Sequence, residues 1–525
     1  MNGVPIAARI AALRQLQKLE RWYDSAFDAK DNPWRHLGAL GFFLFWVITA
    51  SGIYLYVFFD TSVEGAYRSV AALTREQSYA GGVMRSLHRY ASDAFVVVVA
   101  LHLVKEFLHR RYAGFRWFSW LTGVPLLWFL FASGIGGYWL VWDQLAQFIA
   151  IATTEWLDWL SLFGEPLARN FLTADSVSSR FFSLLVFLHI GIPLALLLGM
   201  FIHVQRVSQP DTNPARALGW GTFAALLVLS LAVPAVSMEP ADLAVMPRRL
   251  EFDWFYLFAY PLLYSWSPAA VWALAGGATA ALAVLPLFAR GRAAAVAQVD
   301  INNCNGCARC FADCPYEAVV MQPRAGGKPG QQHALVMAGL CASCGICAGA
   351  CPSSTPFRSD EQLVTGIDMP QLTVNRLRPQ LEAALARLTG ERRVVVFGCD
   401  CAADVRVLAA PDVAVFSLLC TGQLPPSFVE YALRSGADGI LITGCRAGDC
   451  QYRLGNTWTG ERLERKREPH LRANVAPQRV RLAWYSAGEE AALRRELERF
   501  HAALSALPRS RVARTSRTKR VPESA

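Results

Sequence analysis

The sequence predicts an α-helical membrane bundle of about six spans, then an α+β two-cluster module and an α/β domain, on three observations. The first is apolar weight. Of 525 residues 54% are hydrophobic and 18% charged, mean hydropathy is +0.27, and the long apolar runs all precede residue 290. The second is cysteine placement, since all 13 cysteines lie at or after Cys304. The third is the alternation of strand-like with helical stretches over 391–500, the pattern of a parallel sheet.

Residues 1–37 begin the chain, and within them 5–27 carry helix-spaced apolar and basic residues that suit a membrane surface. A membrane domain over 38–292 follows. Its spans are expected at 38–59, 83–108, 119–141, 181–204, 218–237 and 265–289, each near the roughly 20 apolar residues a bilayer needs. Orientation follows from basic residues in the connections. Arg9, Arg14, Lys18, Arg21, Lys30, Arg35, Arg110, Arg111, Arg116, Arg206, Arg216, Arg290 and Arg292 fall on one side. Arg68, Arg75, Arg169, Arg180, Arg248 and Arg249 fall on the other. The bias places the N-terminus in the cytoplasm, and six spans return the chain there before Cys304, a reducing compartment suited to thiolate ligands.

The second span holds His88 and His102, fourteen residues apart, and the fourth repeats that interval with His189 and His203. Fourteen helical residues make about 3.9 turns and about 21 Å, so each pair lies near one face and close to opposite membrane surfaces. Neutral imidazole is an axial ligand of haem iron, and two facing helices with matched pairs can hold two stacked haems. Gly38 and Gly52 in the first span, and Gly123 and Gly137 in the third, repeat the interval, and glycine lets a flat ring approach a backbone. Arg85 and Arg89 flank His88 as partners for haem propionates, with interface anchoring as the competing reading.

These residues resemble cytochrome b of the quinol-oxidising bc complexes over about 1–290, with "GYWLVWDQ" after the third span and "RVSQPDTNP" after the fourth. The resemblance implies His88 paired with His189 near the positive side, His102 with His203 near the cytoplasm, and a possible homodimer. Where that family usually reads Pro-Glu-Trp-Tyr at its positive-side quinol pocket, this chain has Phe252-Asp253-Trp254-Phe255. Asp253 and Trp254 are therefore the expected residues of an altered quinone site.

Residues 293–360 contain C-x2-C-x2-C-x3-C-P twice: Cys304, Cys307, Cys310, Cys314 and then Cys341, Cys344, Cys347, Cys351. Three thiolates of each run wrap one cubane and the fourth crosses to the other. Cys304, Cys307, Cys310 and Cys351 are assigned to one [4Fe-4S] cluster, and Cys341, Cys344, Cys347 and Cys314 to the second. Two complete runs argue against zinc. The module resembles bacterial two-cluster ferredoxins, and its insert "QPRAGGKPGQQ" reads as a surface loop.

Residues 361–390 read as a linker with a helix. Over 391–508, "RRVVVFG", "VAVFSLL", "GILITG" and "VRLAWY" read as strands, and "PSFVEYALRSG" and "EEAALRRELERFHAAL" as helices. "ADGILITGCRAGDCQYRLGN" resembles the delta subunit of methyl-viologen-reducing hydrogenases, which carries a [2Fe-2S] cluster and works beside flavoproteins of heterodisulfide-reductase type. Four of Cys399, Cys401, Cys420, Cys445 and Cys450 are the expected ligands, with the spare left open. The first pair departs from the family's C-x2-C, being C-x-C. The basic tail 509–525 is expected to be disordered.

The net charge of +10 is spent in loops and this tail, which argues against nucleic-acid binding. No GxGxxG follows a strand, so a separate flavoprotein dehydrogenase is the expected electron source. The resulting expectation is a quinone-linked oxidoreductase subunit of the bacterial inner membrane. Its cofactors are two haem b, two [4Fe-4S] and one [2Fe-2S], with quinone as substrate. The competing expectations are quinol oxidation driving a low-potential cytoplasmic acceptor, and a wired membrane anchor without a quinone site.

Overall fold

The computed structural model describes residues 6–508 except 78, 162–166, 168–171, 173–176, 248, 290–294, 329 and 359–363. Arg169, Arg248, Arg290, Arg292 and the basic tail lie outside the described residues. Contacts divide the chain into two units, one of 1–206 with 210–290 and one of 207–209 with 291–525.

In the first unit α1 (Ile6–Phe27) is the expected amphipathic helix. It is tied to the end of α4 (Gly81–Leu108) where Arg9 donates to the Leu108 carbonyl at 2.8 Å. Lys105 also pairs with Glu20 at 2.7 Å, both side chains being buried. The helices α2 (Leu37–Phe58), α4, α5 (Trp117–Val141), α7 (Ser179–Val204), α8 (Arg216–Ala232) and α10 (Pro268–Phe288) occupy the six expected segments. Among the described residues four helices are long and apolar enough to cross a membrane: Leu37–Phe58, Gly114–Val141, Ser179–Val204 and Pro268–Phe288. Helix α4 is interrupted by Arg85, Arg89, Asp93, Lys105 and Glu106, and α8 has only 17 residues. Helix α8 ends at Ala232, short of the expected 237, because Pro234 disfavours helix at Val233.

Among the helices that were not expected, α3 (Gly65–Arg75) and α6 (Gln144–Asp158) lie in connections between spans. Asp143 caps α6 by accepting the Ala146 N–H at 3.0 Å, and its other oxygen accepts the Met238 N–H at 2.9 Å. The cap thus fixes the connection after α8 against the end of α5. A short helix α9 (Tyr260–Ser265) precedes α10. Leu44, Phe45, Leu87, Ala91, Phe95, Leu196 and Met200 form the core where these helices meet.

In the second unit the iron–sulfur runs flank an antiparallel hairpin, β2 (Val319–Pro323) with β3 (Gln332–Val336), and the expected loop is its tip. Strand β1 (Gln298–Val299) pairs antiparallel with β4 (Ile367–Asp368). The expected linker is therefore built in: β4 closes the cysteine-rich part, and α13 (Val374–Arg387) buries Leu377, Leu381 and Leu385 against the C-terminal core. The short helices α11 (Arg309–Ala312) and α12 (Ile346–Ala350) each carry the third cysteine of a run.

The four expected strands are β5 (Val394–Cys399), β6 (Val413–Leu418), β7 (Gly439–Gly444) and β8 (Val480–Trp484), all parallel in the order β6-β5-β7-β8. Apolar runs such as "VVVF" suit strands covered on both faces. One face packs α13 and α14 (Pro426–Arg434), and the other packs α16 (Glu490–Ser505) through Leu493, Leu497, Phe500 and Leu504.

Asp313 in the first cysteine run pairs with Arg462 on α15 (Gly455–Leu463), with 3% and 1% of the side chains exposed. Its second oxygen takes Arg467 at 2.6 Å, and Arg467 lies 3.4 Å over the Trp458 ring. Removing one member of a buried pair strands the other charge, at about 3–5 kcal/mol. Arg462→Met is expected at the low end, about 3 kcal/mol, since Arg467 still reaches Asp313. The measurement is the temperature at which iron–sulfur absorption bleaches in the full chain, which falls in the variant.

Candidate metal centres

Each of the four histidines stands against one of the four glycines. A Cβ on Gly52 would lie 3.0 Å from the His88 ring, one on Gly137 2.9 Å from His189, one on Gly123 3.2 Å from His203 and one on Gly38 3.7 Å from His102. Helix α2 thus backs α4, and α5 backs α7, with a bare backbone wherever an imidazole meets it. The His88 and His189 rings face each other with centroids 6.3 Å apart and planes at 67°.

The ring nitrogens are also placed. His88 Nδ1 lies 3.0 Å from the Ile48 carbonyl and 3.2 Å from Ser51 Oγ, and His189 Nδ1 lies 3.0 Å from the Ser133 carbonyl. Ile48 and Ser133 each precede the facing glycine by four residues. His203 Nδ1 lies 3.3 Å from Thr122 Oγ1, the residue before Gly123. An Nδ1–H donated to a carbonyl leaves Nε2 as the lone-pair nitrogen, the arrangement of a ligating imidazole. The His102 position differs: the carbonyl four residues before Gly38, that of Trp34, accepts from Lys105 Nζ at 2.8 Å. Donor set and cleared backbone both fit a flat macrocycle bound by imidazole pairs.

Both arginines beside His88 are engaged. Arg85 donates to Thr74 Oγ1 at 2.9 Å, Ser237 Oγ at 2.8 Å and the Val70 carbonyl at 3.3 Å. Arg89 pairs with Asp93 at 2.6 Å and with Asp253 at 2.9 Å, and lies 5.0 Å from the Tyr138 ring centre. Asp253 is buried, takes the Tyr138 hydroxyl, and accepts the Phe255 N–H at 2.8 Å. Trp254, in contrast, is 66% exposed. Sequence reading missed Asp93 and Tyr138. Their signals were an acid five residues after His88 and the tyrosine of "GYWLVWDQ".

In the second unit Cys351 lies within electrostatic range of Cys310, as do Cys304 and Cys307. Cys314 and Cys341 lie within that range of both Cys344 and Cys347, and Cys310 also reaches Cys347. The fourth cysteine of each run is thus near cysteines of the other run, around one shared core. The two runs are wound alike: the second and fourth residues after each leading cysteine, Gly306 and Ala308, then Ser343 and Gly345, are left-handed, with φ of 71°, 60°, 59° and 76°. Such windings turn backbone N–H groups inward toward an anionic centre. Burial pushes the Cys310 thiol up to about 12, with neighbouring thiols adding to it, and pushes Cys344 and Cys347 up as well. Iron supplies the charge that would hold these sulfurs as thiolates. Among the described residues no three or more His, Cys, Asp or Glu close on a single-ion site. Sulfurs around a multi-iron cluster are spread apart by the cluster itself.

All five C-terminal cysteines converge. Cys399 touches Cys401, Cys420 and Cys445, and Cys450 touches Cys420 and Cys445. Gly455 leaves them room, since a Cβ there would lie 2.1 Å from Cys420 Sγ and 3.5 Å from Cys450 Sγ.

Comparison with known families gives three matches in chain order. Residues 27–210 match cytochrome b/b6/petB, 303–355 match the 4Fe-4S dicluster domain, and 394–508 match the methyl-viologen-reducing hydrogenase delta subunit. A solved structure titled "Hyperthermophilic respiratory Complex III" shares 20% identity over 48% of this chain and 74% of that chain, with a TM-score of 0.40. The cytochrome b match implies haem b and the dicluster match implies iron–sulfur clusters. With the apolar helices, they support a membrane electron-transfer subunit of an oxidoreductase complex.

The glycine contacts rank the haem sites. Gly137→Ala and Gly52→Ala are expected to lose or distort one haem absorption band, and Gly38→Ala, at an ordinary van der Waals distance, to keep both. Difference spectra of reduced membranes read this directly. Alanine favours helix by up to about 1 kcal/mol over glycine, so a loss is not helix weakening. Cys351→Ser is expected to damage the cluster of Cys304, Cys307 and Cys310 and to spare that of Cys341, Cys344 and Cys347, read by electron paramagnetic resonance of the reduced chain.

Proposed function

We propose that the chain relays electrons from a cytoplasmic flavin-dependent dehydrogenase through one [2Fe-2S] and two [4Fe-4S] clusters to two b-type haems and the quinone pool. When bound, these groups carry single electrons, and the chain's own part is to hold, space and insulate them. The observation that carries the reading is the packing of Cys344 with Cys420 around Ile346 and Trp458 in one buried cluster. A cysteine of the dicluster set thus shares one buried cluster with a cysteine of the five-thiol set, and Tyr452 packs against that cluster.

In the membrane part the two histidine intervals set two sites about 21 Å apart along the helices, each backed by glycine. His102 and His203 are read as the cytoplasmic pair, where electrons enter. His88 and His189 are read as the positive-side pair. An outward run is aided by a membrane potential positive outside. Six spans and a cytoplasmic N-terminus belong to this reading, as does a partner dehydrogenase or heterodisulfide-reductase-like subunit docking on 391–508.

A second reading is favoured by Asp253. Its oxygens are taken by Arg89, Tyr138 and the Phe255 N–H, so its carboxylate is committed before any quinol arrives. Quinone would then react away from this pocket, or the chain would be a wired anchor. Purified chain in lipid vesicles, with chemically reduced clusters, is expected to reduce a quinone analogue. Reduction of the haems without quinone turnover would sink the first reading and leave the anchor.

A further inference from the structure

We infer that Cys399, Cys420, Cys445 and Cys450 ligate the binuclear cluster, and that Cys401 holds Cys399 in place through its backbone. The inference rests on the reading of 391–508 as a [2Fe-2S] carrier and deepens it by naming the ligand set within five candidates.

The contacts among the thiols form a closed four-membered ring. Cys399 touches Cys420 and Cys445, and Cys450 touches the same two. A binuclear cluster needs four sulfurs around one rhomb, and these four are the ones linked pairwise into a ring. All four are buried. Cys401 is outside the ring. Its thiol pairs with that of Cys399, at the edge of the cluster of Cys399, Cys445 and Cys450, and among the five it is the thiol that is not buried.

Three chain elements supply the ring. Cys399 ends β5, Cys420 follows β6, and Cys445 and Cys450 bracket the turn after β7. All three strands are parallel, so their C-terminal ends lie together, the place where open α/β sheets gather ligands. Gly455 at the head of α15 clears the space beside Cys420 and Cys450.

The two-residue step of C-x-C explains the leftover thiol. The Cys401 N–H donates to Cys399 Sγ at 3.4 Å, a backbone contact that any non-proline residue makes. Amide hydrogen bonds to cluster sulfurs raise the potential. Position 401 therefore acts on the centre through its amide, and its side chain is dispensable for ligation.

The test uses the full chain with alanine at each of the five positions. Cys401→Ala is expected to keep the binuclear electron paramagnetic resonance signal, its iron and its midpoint potential. Cys399→Ala, Cys420→Ala, Cys445→Ala and Cys450→Ala are each expected to lose that signal. The [4Fe-4S] signals and haem bands report that each variant is folded. Loss of the signal in Cys401→Ala, or its survival in one of the other four, overturns the assignment. A parent chain with no binuclear signal would instead overturn the [2Fe-2S] reading on which it rests.

Discussion

An imidazole can press this closely on a helix backbone only where the backbone has no Cβ, and the membrane part depends on that constraint at Gly52, Gly137 and Gly123, with Gly38 at ordinary contact distance. Gly52, Gly137, Gly123 and Gly38 each clear one of His88, His189, His203 and His102. The same closeness brings the Ile48 and Ser133 carbonyls within reach of an Nδ1–H. One missing side chain therefore serves two ends: it admits the ring and it orients it. The helix pairing of α2 with α4 and of α5 with α7 follows, because each histidine helix must lie beside its glycine helix.

Charge is handled by a different logic. Arg89 beside His88 is shared by two carboxylates, Asp93 and Asp253, with the Tyr138 hydroxyl completing the group. Buried like charges around one cation hold together only as a set. At the other end of α4, Lys105 is held by Glu20 and by the Trp34 carbonyl. The ionisable residues of this helix are thus paired toward protein, as hydrocarbon surroundings demand.

Periodic features of the fold were legible. Apolar β-branched runs located all four strands of the parallel sheet, and apolar runs located α2, α4, α5, α7, α8 and α10, because both signals are local. The connection helices α3 and α6 were missed since neither approaches membrane-spanning length. Repeated intervals gave the histidines, glycines and two cysteine runs, because identical spacing reports identical geometry. Partners far apart in sequence were not legible. Nothing near Arg89 announces Asp253, 164 residues away, and nothing in "FGCDCAADV" says which sulfur faces inward. Those facts are made by packing between elements. Within 361–390 the expected helix is present as α13, whereas strand β4 was not legible, since its partner Gln298–Val299 lies far upstream.

The buried bond between Asp313 and Arg462 bears on how such a chain is assembled and rearranged. The sequence looks like interchangeable cassettes, a cysteine-rich piece followed by a sheet domain. Yet Asp313 belongs to the first and Arg462 to the second, and Trp458 of the second donates to the Asp313 carbonyl at 3.2 Å. Cutting between them bares an arginine on one fragment and an aspartate on the other, each without its partner. The two pieces are thus one packed block. A homologue or engineered fusion that exchanges one piece must exchange the matching charge in the other.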